Sequence, residues 1–187
     1  MVRALLLCTT GLLTAACMAQ EPLPRKGLLL GSGAIAPGFM LQQPITNIYV
    51  VGRLEYFLEE RVSIRGRAAW YVDAQQEYPL LAQNSQLSFG PYFHWGSHRL
   101  DVHVGLEPGI SFTQPTPPMI GLGETPLRVL PTAALGAGVT WYVWDHFHFF
   151  LEARQHLASY QGMRGGPLAL HELVLSGGLG FQLRAGK

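Results

Sequence analysis

Apolar residues recur at every second position through most of this chain, and glycine or proline interrupts the pattern too often for long helices. Successive side chains of a strand point to opposite faces, so a period of two marks a two-faced β-strand. The reading is all-β, with roughly eight strands: a glycine-rich first one over Gly27–Ala36, then Ile45–Leu58, Val62–Val72, Ser85–Gly96, Leu100–Phe112, Arg128–Val143, His146–Leu157 and Leu168–Leu183. Glu59-Glu60-Arg61, Ser97-His98-Arg99 and Trp144-Asp145 read as tight turns. Pro37–Pro44, Asp73–Asn84, Thr113–Leu127 and Ala158–Pro167 read as long loops. Short turns at one end and long loops at the other predict an antiparallel up-and-down meander with both termini on the short-turn side.

The two faces differ in chemistry. One carries Val50, Leu54, Tyr56, Trp70, Leu87, Phe89, Phe93, Trp95, Val102, Leu106, Leu135, Trp141, Phe147, Leu151, Leu179 and Phe181, and no charged residue. The other carries Arg53, Arg65, Arg67, Arg128 and Arg154 against Glu55, Asp101, Glu107, Glu152 and Glu172, with His94, His103 and His148 among them. Alternation alone fits a soluble sandwich or barrel with an apolar core as well as a barrel turned inside out in lipid. Three features favour the second. Tyr56, Trp95, Trp141, Phe147 and Phe181 fall near the short-turn ends and Trp70 and Phe112 near the other rim, where an interfacial aromatic girdle belongs. The charged face uses arginine with almost no lysine, which suits planar bidentate pairing in a confined interior. Small residues such as Gly90, Gly105, Gly136, Gly138 and Gly180 share that face, as crowding in a narrow lumen requires.

Composition agrees. Only 13% of residues are charged and the net charge is +1, against about a quarter charged in soluble domains. That density is too low for a disordered chain or a nucleic-acid binder. In lipid, charges retreat to the lumen, turns and loops. No later stretch is long and apolar enough for a membrane helix.

At the N-terminus, Met1-Val2-Arg3 precedes an apolar run from Ala4 to Ala16, the pattern of an export signal. Cleavage after Ala19 makes residues 1–19 the signal and residues 20–187 the barrel domain. Lipidation at Cys17 is the alternative. Cys8 and Cys17 both lie in this segment, so the mature chain is expected to hold no disulfide.

The last strand reads Ser176-Gly177-Gly178-Leu179-Gly180-Phe181-Gln182-Leu183. With its polar residue at Ser176, glycine at Gly178, aromatic at Phe181 and hydrophobic at Leu183, it is similar to the signal read by the barrel-assembly machinery. The chain resembles the small eight-stranded outer-membrane β-barrels of the OmpA/OmpX type, although Arg184-Ala185-Gly186-Lys187 follow where that family usually ends. The resemblance implies an outer-membrane transmembrane barrel of a Gram-negative bacterium, in contact with outer-membrane lipid and lipopolysaccharide, with no cofactor.

Function is less constrained. Arg53, Glu55, Arg65, Arg67, Asp101, Glu107, Glu152, Arg154 and Glu172 are expected to fill the lumen as a polar network, since an eight-stranded barrel is just wide enough to be packed by side chains. The long loops then remain for surface interaction with an extracellular ligand of unknown identity. A soluble periplasmic barrel binding a small apolar ligand is the alternative. A third reading is a hydrolase similar to the lipid A deacylases, using Glu152, His156, Ser159 and Glu172; Ala158 stands where that pattern needs its serine, leaving Ser159 in the wrong pleat. No catalytic residue and no metal ligand set is therefore expected. His94, His103 and His148 sit on different strands without ligand spacing, and read as hydrogen-bonded members of the network. Gly31-Ser32-Gly33 lacks the lysine and helix of a phosphate loop.

Overall fold

The computed structural model describes residues 25–76, 79–97, 99–116, 125–161 and 166–184. The expected export signal with Cys8 and Cys17, Tyr78, much of the Thr113–Leu127 loop and the Ala185–Lys187 tail lie outside them. Eight strands close into one barrel: β1 (Leu28–Met40), β2 (Thr46–Glu59), β3 (Val62–Ala74), β4 (Leu81–Ser97), β5 (Leu100–Pro115), β6 (Arg128–Tyr142), β7 (Phe147–Leu157) and β10 (Glu172–Arg184). Every neighbouring pair is antiparallel, and β1 closes on β10 through Leu28↔Arg184 at one end and Met40↔Glu172 at the other. This is the eight-stranded up-and-down barrel that the alternation predicts.

Several boundaries differ from the sequence reading. β1 runs on to Met40 and β4 begins at Leu81, so the connections after β1 and β3 shrink to 41–45 and 75–80. The expected strand Leu168–Leu183 is broken. Its first two residues form β9 (Leu168–Ala169), which pairs with β8 (Ser159–Tyr160) in a separate two-stranded sheet. The break has a packing cause: Tyr160, Ala158 and Leu170 turn inward to join Met40, Leu81 and Leu130 in an apolar cluster at the long-loop mouth. Tyr160 Oη donates to Pro126 O at 2.6 Å and Leu170 N to Ala158 O at 2.9 Å, fixing the cluster in place.

Burial settles which face is inside. The uncharged face points outward, with Leu151 and Trp70 each 67% exposed and Leu54 63%, while Arg65 is 0% and Glu152 1% exposed. The architecture with an apolar barrel core is excluded. Interior layers instead follow one another along the axis. Leu28, Leu30, Phe57 and Tyr142 close the short-turn end, the charged residues fill the middle, and Ala36, Val51, Ala69 and Val174 pack around Tyr49 below the long-loop cluster.

Interior glycines make room for the larger side chains. A Cβ at Gly105 would collide with the Tyr92 ring and lie 2.6 Å from Pro91 O, whereas one at outward-facing Gly52 would meet nothing within 4 Å. Overpacking a filled interior costs about 1–3 kcal/mol. Gly105→Ala is expected to lower the urea midpoint of the refolded barrel by a corresponding amount, and Gly52→Ala to leave it unchanged within about 0.5 kcal/mol.

Candidate functional site

The middle of the lumen is organised around Glu152, which β7 carries inward opposite Gly138 of β6 and Ser176 of β10. Glu152 accepts from Arg53 Nη1 at 3.0 Å and from Arg65 Nη1 and Arg67 Nη2. Arg53 and Arg67 face each other directly across β2 and β3. Such a like-charge pair is normally destabilising, and the shared carboxylate is what makes it tolerable here. Arg65 turns its remaining edge on Glu55, with Nη2 at 2.8 Å and Nε at 3.2 Å from Oε2. Its guanidinium lies 3.6 Å above the Tyr92 ring, and that of Arg53 lies 4.2 Å above Phe150. Glu107 takes hydrogen bonds from Arg154 Nε at 2.9 Å, Tyr92 Oη at 2.7 Å and Ser88 Oγ at 2.9 Å. Arg154 also donates to Gln86 Oε1 at 3.0 Å.

Towards the long-loop end, Glu172 is held by neutral donors: Tyr49 Oη at 2.8 Å, Asn47 Nδ2 and Asn84 Nδ2 at 3.4 Å. Towards the short-turn end, Ser63 Oγ lies 2.8 Å from His94 Nε2, and His94 Nδ1 lies 2.7 Å from Asp101 Oδ2. That order matches a serine hydrolase triad, but the protons run the other way. Ser63 donates to Glu55 Oε1 at 2.5 Å, so its oxygen accepts from His94 instead of surrendering a proton to it. Ser63 is also fully buried, away from any substrate.

The nine charged residues read from sequence as luminal all point into the barrel and are buried. Arg128 does not join them. It sits at the long-loop rim, donating to Gln161 O at 2.8 Å and lying over Tyr160 at 5.3 Å, because β6 begins there, outside the enclosed lumen. The histidines also differ from expectation. His94 is hydrogen-bonded, but His103 and His148 have no hydrogen-bond partner on either ring nitrogen. Asp101 meets a residue that strand periodicity does not reach: Arg25, which precedes β1, places Nη1 3.0 Å from Asp101 Oδ1.

Of the hydrolase candidates, His156 faces Glu172 across β7 and β10, but Ser159 is carried away into the small β8–β9 sheet, where Gln161 Nε2 donates to its hydroxyl at 3.0 Å. On the outer face, Trp141 lies tilted against Phe149 with ring centres 6.4 Å apart, Phe147 meets Phe181 at 5.7 Å and Trp95 stacks on Phe93 at 6.3 Å, all near the short turns. Tyr56 lies on the same side, next to the β2–β3 turn, and Trp70 on the other. In β10, Ser176 and Gly178 face inward, and Phe181 and Leu183 face outward.

No family model and no curated protein matches the sequence. Solved structures do match the fold. The outer membrane protein OprG of Pseudomonas aeruginosa is 14% identical with a TM-score of 0.60 over 87% of this chain and 98% of that one. The N-terminal β-barrel domain of OprF from the same organism is 16% identical with a TM-score of 0.58 over 87% of this chain and 100% of that one. Neisserial surface protein A is 9% identical with a TM-score of 0.56, covering 84% and 96%. The chain thus has the fold of the small eight-stranded transmembrane barrels.

Glu152→Gln removes the charge shared by three guanidiniums. Breaking a buried ionic cluster by deleting one partner costs about 3–5 kcal/mol. Equilibrium unfolding of the refolded variant is expected to show a loss of that size, whereas Glu59→Gln, which removes only the exposed pair with Lys26, is expected to leave stability unchanged.

Proposed function

We propose that this chain is an exported outer-membrane protein of a Gram-negative bacterium, a closed barrel with a structural or surface-interaction role and no open pore. The inverted distribution of polarity carries the reading: a belt of exposed Leu, Val, Phe and Trp side chains surrounds an interior of paired charges. In water such a belt is an aggregation surface. In lipid it is the favoured one, and a closed sheet satisfies the wall's backbone groups without water.

The lumen is filled, not lined. Apolar clusters cover the ionic layer at both ends, Leu28, Leu30, Phe57 and Tyr142 on one side and Met40, Leu81, Leu130, Tyr160 and Leu170 on the other. An ion crossing the barrel must break both seals and the Glu152 cluster between them. Catalysis has little support, with Ser159 bonded to Gln161 and Ser63 buried under Phe57 and His94.

In this reading residues 1–19 direct export. Ser176, Gly178, Phe181 and Leu183 present the assembly signal, and the aromatics Tyr56, Trp70, Trp95, Trp141, Phe147 and Phe181 anchor the barrel at its two interfaces with lipid and lipopolysaccharide. Extracellular contact falls to the two longer connections, 116–127 and 158–171, because those after β1 and β3 are short.

Fractionation tests membrane residence. The protein is expected in the outer membrane, resistant to carbonate and faster on a detergent gel unboiled than boiled; recovery as a soluble periplasmic protein would contradict the reading. Leu135→Arg places a charge on the outer face, where it costs about 2–4 kcal/mol near the midplane, and is expected to reduce the folded fraction sharply. Planar-bilayer recordings of the wild type are expected to show no steady conductance, and a persistent open state would refute the sealed lumen.

A further inference from the structure

We propose that His94, Asp101 and His103 form a binding site for a divalent transition-metal ion of the zinc class, just inside the short-turn mouth, where the Arg25 guanidinium holds the place of the cation. The potential ligand atoms of the three side chains all lie within 4.8 Å of one another, and all three residues are buried. Two imidazoles and a carboxylate are a ligand set that zinc accepts in protein sites. The strands impose the arrangement. His94 of β4 lies directly opposite His103 of β5, and Asp101, two residues earlier on β5, shares the same inward face.

Proton accounting on His94 points to a cation. Ser63 spends its hydrogen on Glu55, so Ser63 Oγ accepts from His94 Nε2, which also lies 3.1 Å from Glu55 Oε1. Nε2 is therefore the protonated nitrogen. Nδ1 lies 2.7 Å from Asp101 Oδ2, a hydrogen-bond contact that a proton on the ring satisfies in the empty site and that a metal ion bound to both atoms would replace. Glu55 and Ser63 behind the imidazole supply the outer hydrogen bonds that orient a ligating histidine.

His103 shares its unspent ring nitrogens with His148 and His156, and differs from them in facing two other potential ligands. Its Nδ1 has no hydrogen-bond partner, and its Nε2 lies 3.5 Å from Glu152 Oε2 without hydrogen-bond alignment. A buried imidazole with an unspent nitrogen is costly unless something binds it. Gly138 leaves the ring its space, since a Cβ there would stand 2.8 Å from Nε2.

The charge balance shows that Asp101 takes its cation from outside the strands. The strands bring five buried carboxylates into the lumen but only four buried guanidiniums, those of Arg53, Arg65, Arg67 and Arg154; Arg25 supplies the fifth cation from outside the strands. Its backbone is fixed independently of its side chain, by Arg25 N to Glu60 Oε2 at 3.0 Å and Leu28 N to Arg25 O at 2.8 Å. The guanidinium can therefore leave Asp101 without unfolding the segment. The site requires only the barrel geometry, so its failure is distinguishable from failure of the membrane reading.

The test uses the full barrel folded in detergent, stripped with a chelator, then equilibrated with Zn²⁺ for stoichiometry or Co²⁺ for its absorption spectrum, with folding checked by gel mobility. One ion per folded chain is expected. Arg25→Ala removes the competing cation and is expected to tighten Zn²⁺ binding about tenfold, equivalent to ~1.4 kcal/mol. His103→Gln is expected to weaken it by more than about tenfold, and His146→Ala, at an exposed turn, to leave it unchanged. Folded wild type and Arg25→Ala that both retain no ion would overturn the proposal, as would binding that survives His103→Gln or disappears with His146→Ala.

Discussion

The interaction on which the rest of the structure depends is the sharing of Glu152 among Arg53, Arg65 and Arg67. An eight-stranded barrel leaves no room for water to solvate such charges, so each must find its counterion across the lumen. Those contacts join β2 and β3 to β7, strands that are not neighbours in the sheet. Glu107 extends the link to β5 by accepting from Arg154 of β7 and approaching Arg67 of β3. The wall is held by its ladders, and the cross-section is held by these ion pairs. The Tyr92 and Phe150 rings lie under the guanidiniums of Arg65 and Arg53, and Gly105 and Gly136 make space for Tyr92.

Once the charges are inside, the outer surface follows. The strands that send Arg or Glu inward carry uncharged residues at the alternating outward positions, so a filled ionic core and an uncharged belt are two results of one alternation. Apolar side chains return to the interior mainly where the ionic layer ends, as the Phe57 and Tyr142 layer at one mouth and the Leu130 and Tyr160 cluster at the other. Those two layers keep the pairs dry, which strengthens them and makes the loss of any single member expensive.

Much of this was legible in the sequence because the period of two assigns a face to every strand residue. Asn47 and Tyr49 are in phase with Arg53 and Glu55 and could have been added to the interior by counting back along β2. Asn84 was hidden because β4 starts earlier than its β-propensity suggests. Arg128 has the right parity but sits where the strand has already left the lumen, and parity carries no information about height along the axis. Arg25 lies before the first strand, where periodicity has no hold. The opposition of His94 and His103 needed cross-strand register; counting outward from the turn that pairs Ser97 with Leu100 reaches it. The β8–β9 sheet was missed because its cause is the covering of an apolar mouth, a tertiary demand that local pattern does not record.

The central claim is that the apolar face meets lipid while the charged face is sealed from water. Trp70, Trp95 and Trp141 report on that face directly, each at least half exposed on the outside of the barrel. In vesicles of bromine-labelled lipid, their fluorescence is predicted to be strongly quenched by the acyl-chain bromines and weakly by aqueous acrylamide. Strong quenching by acrylamide with little effect of the brominated lipid would place that face in water and contradict the account.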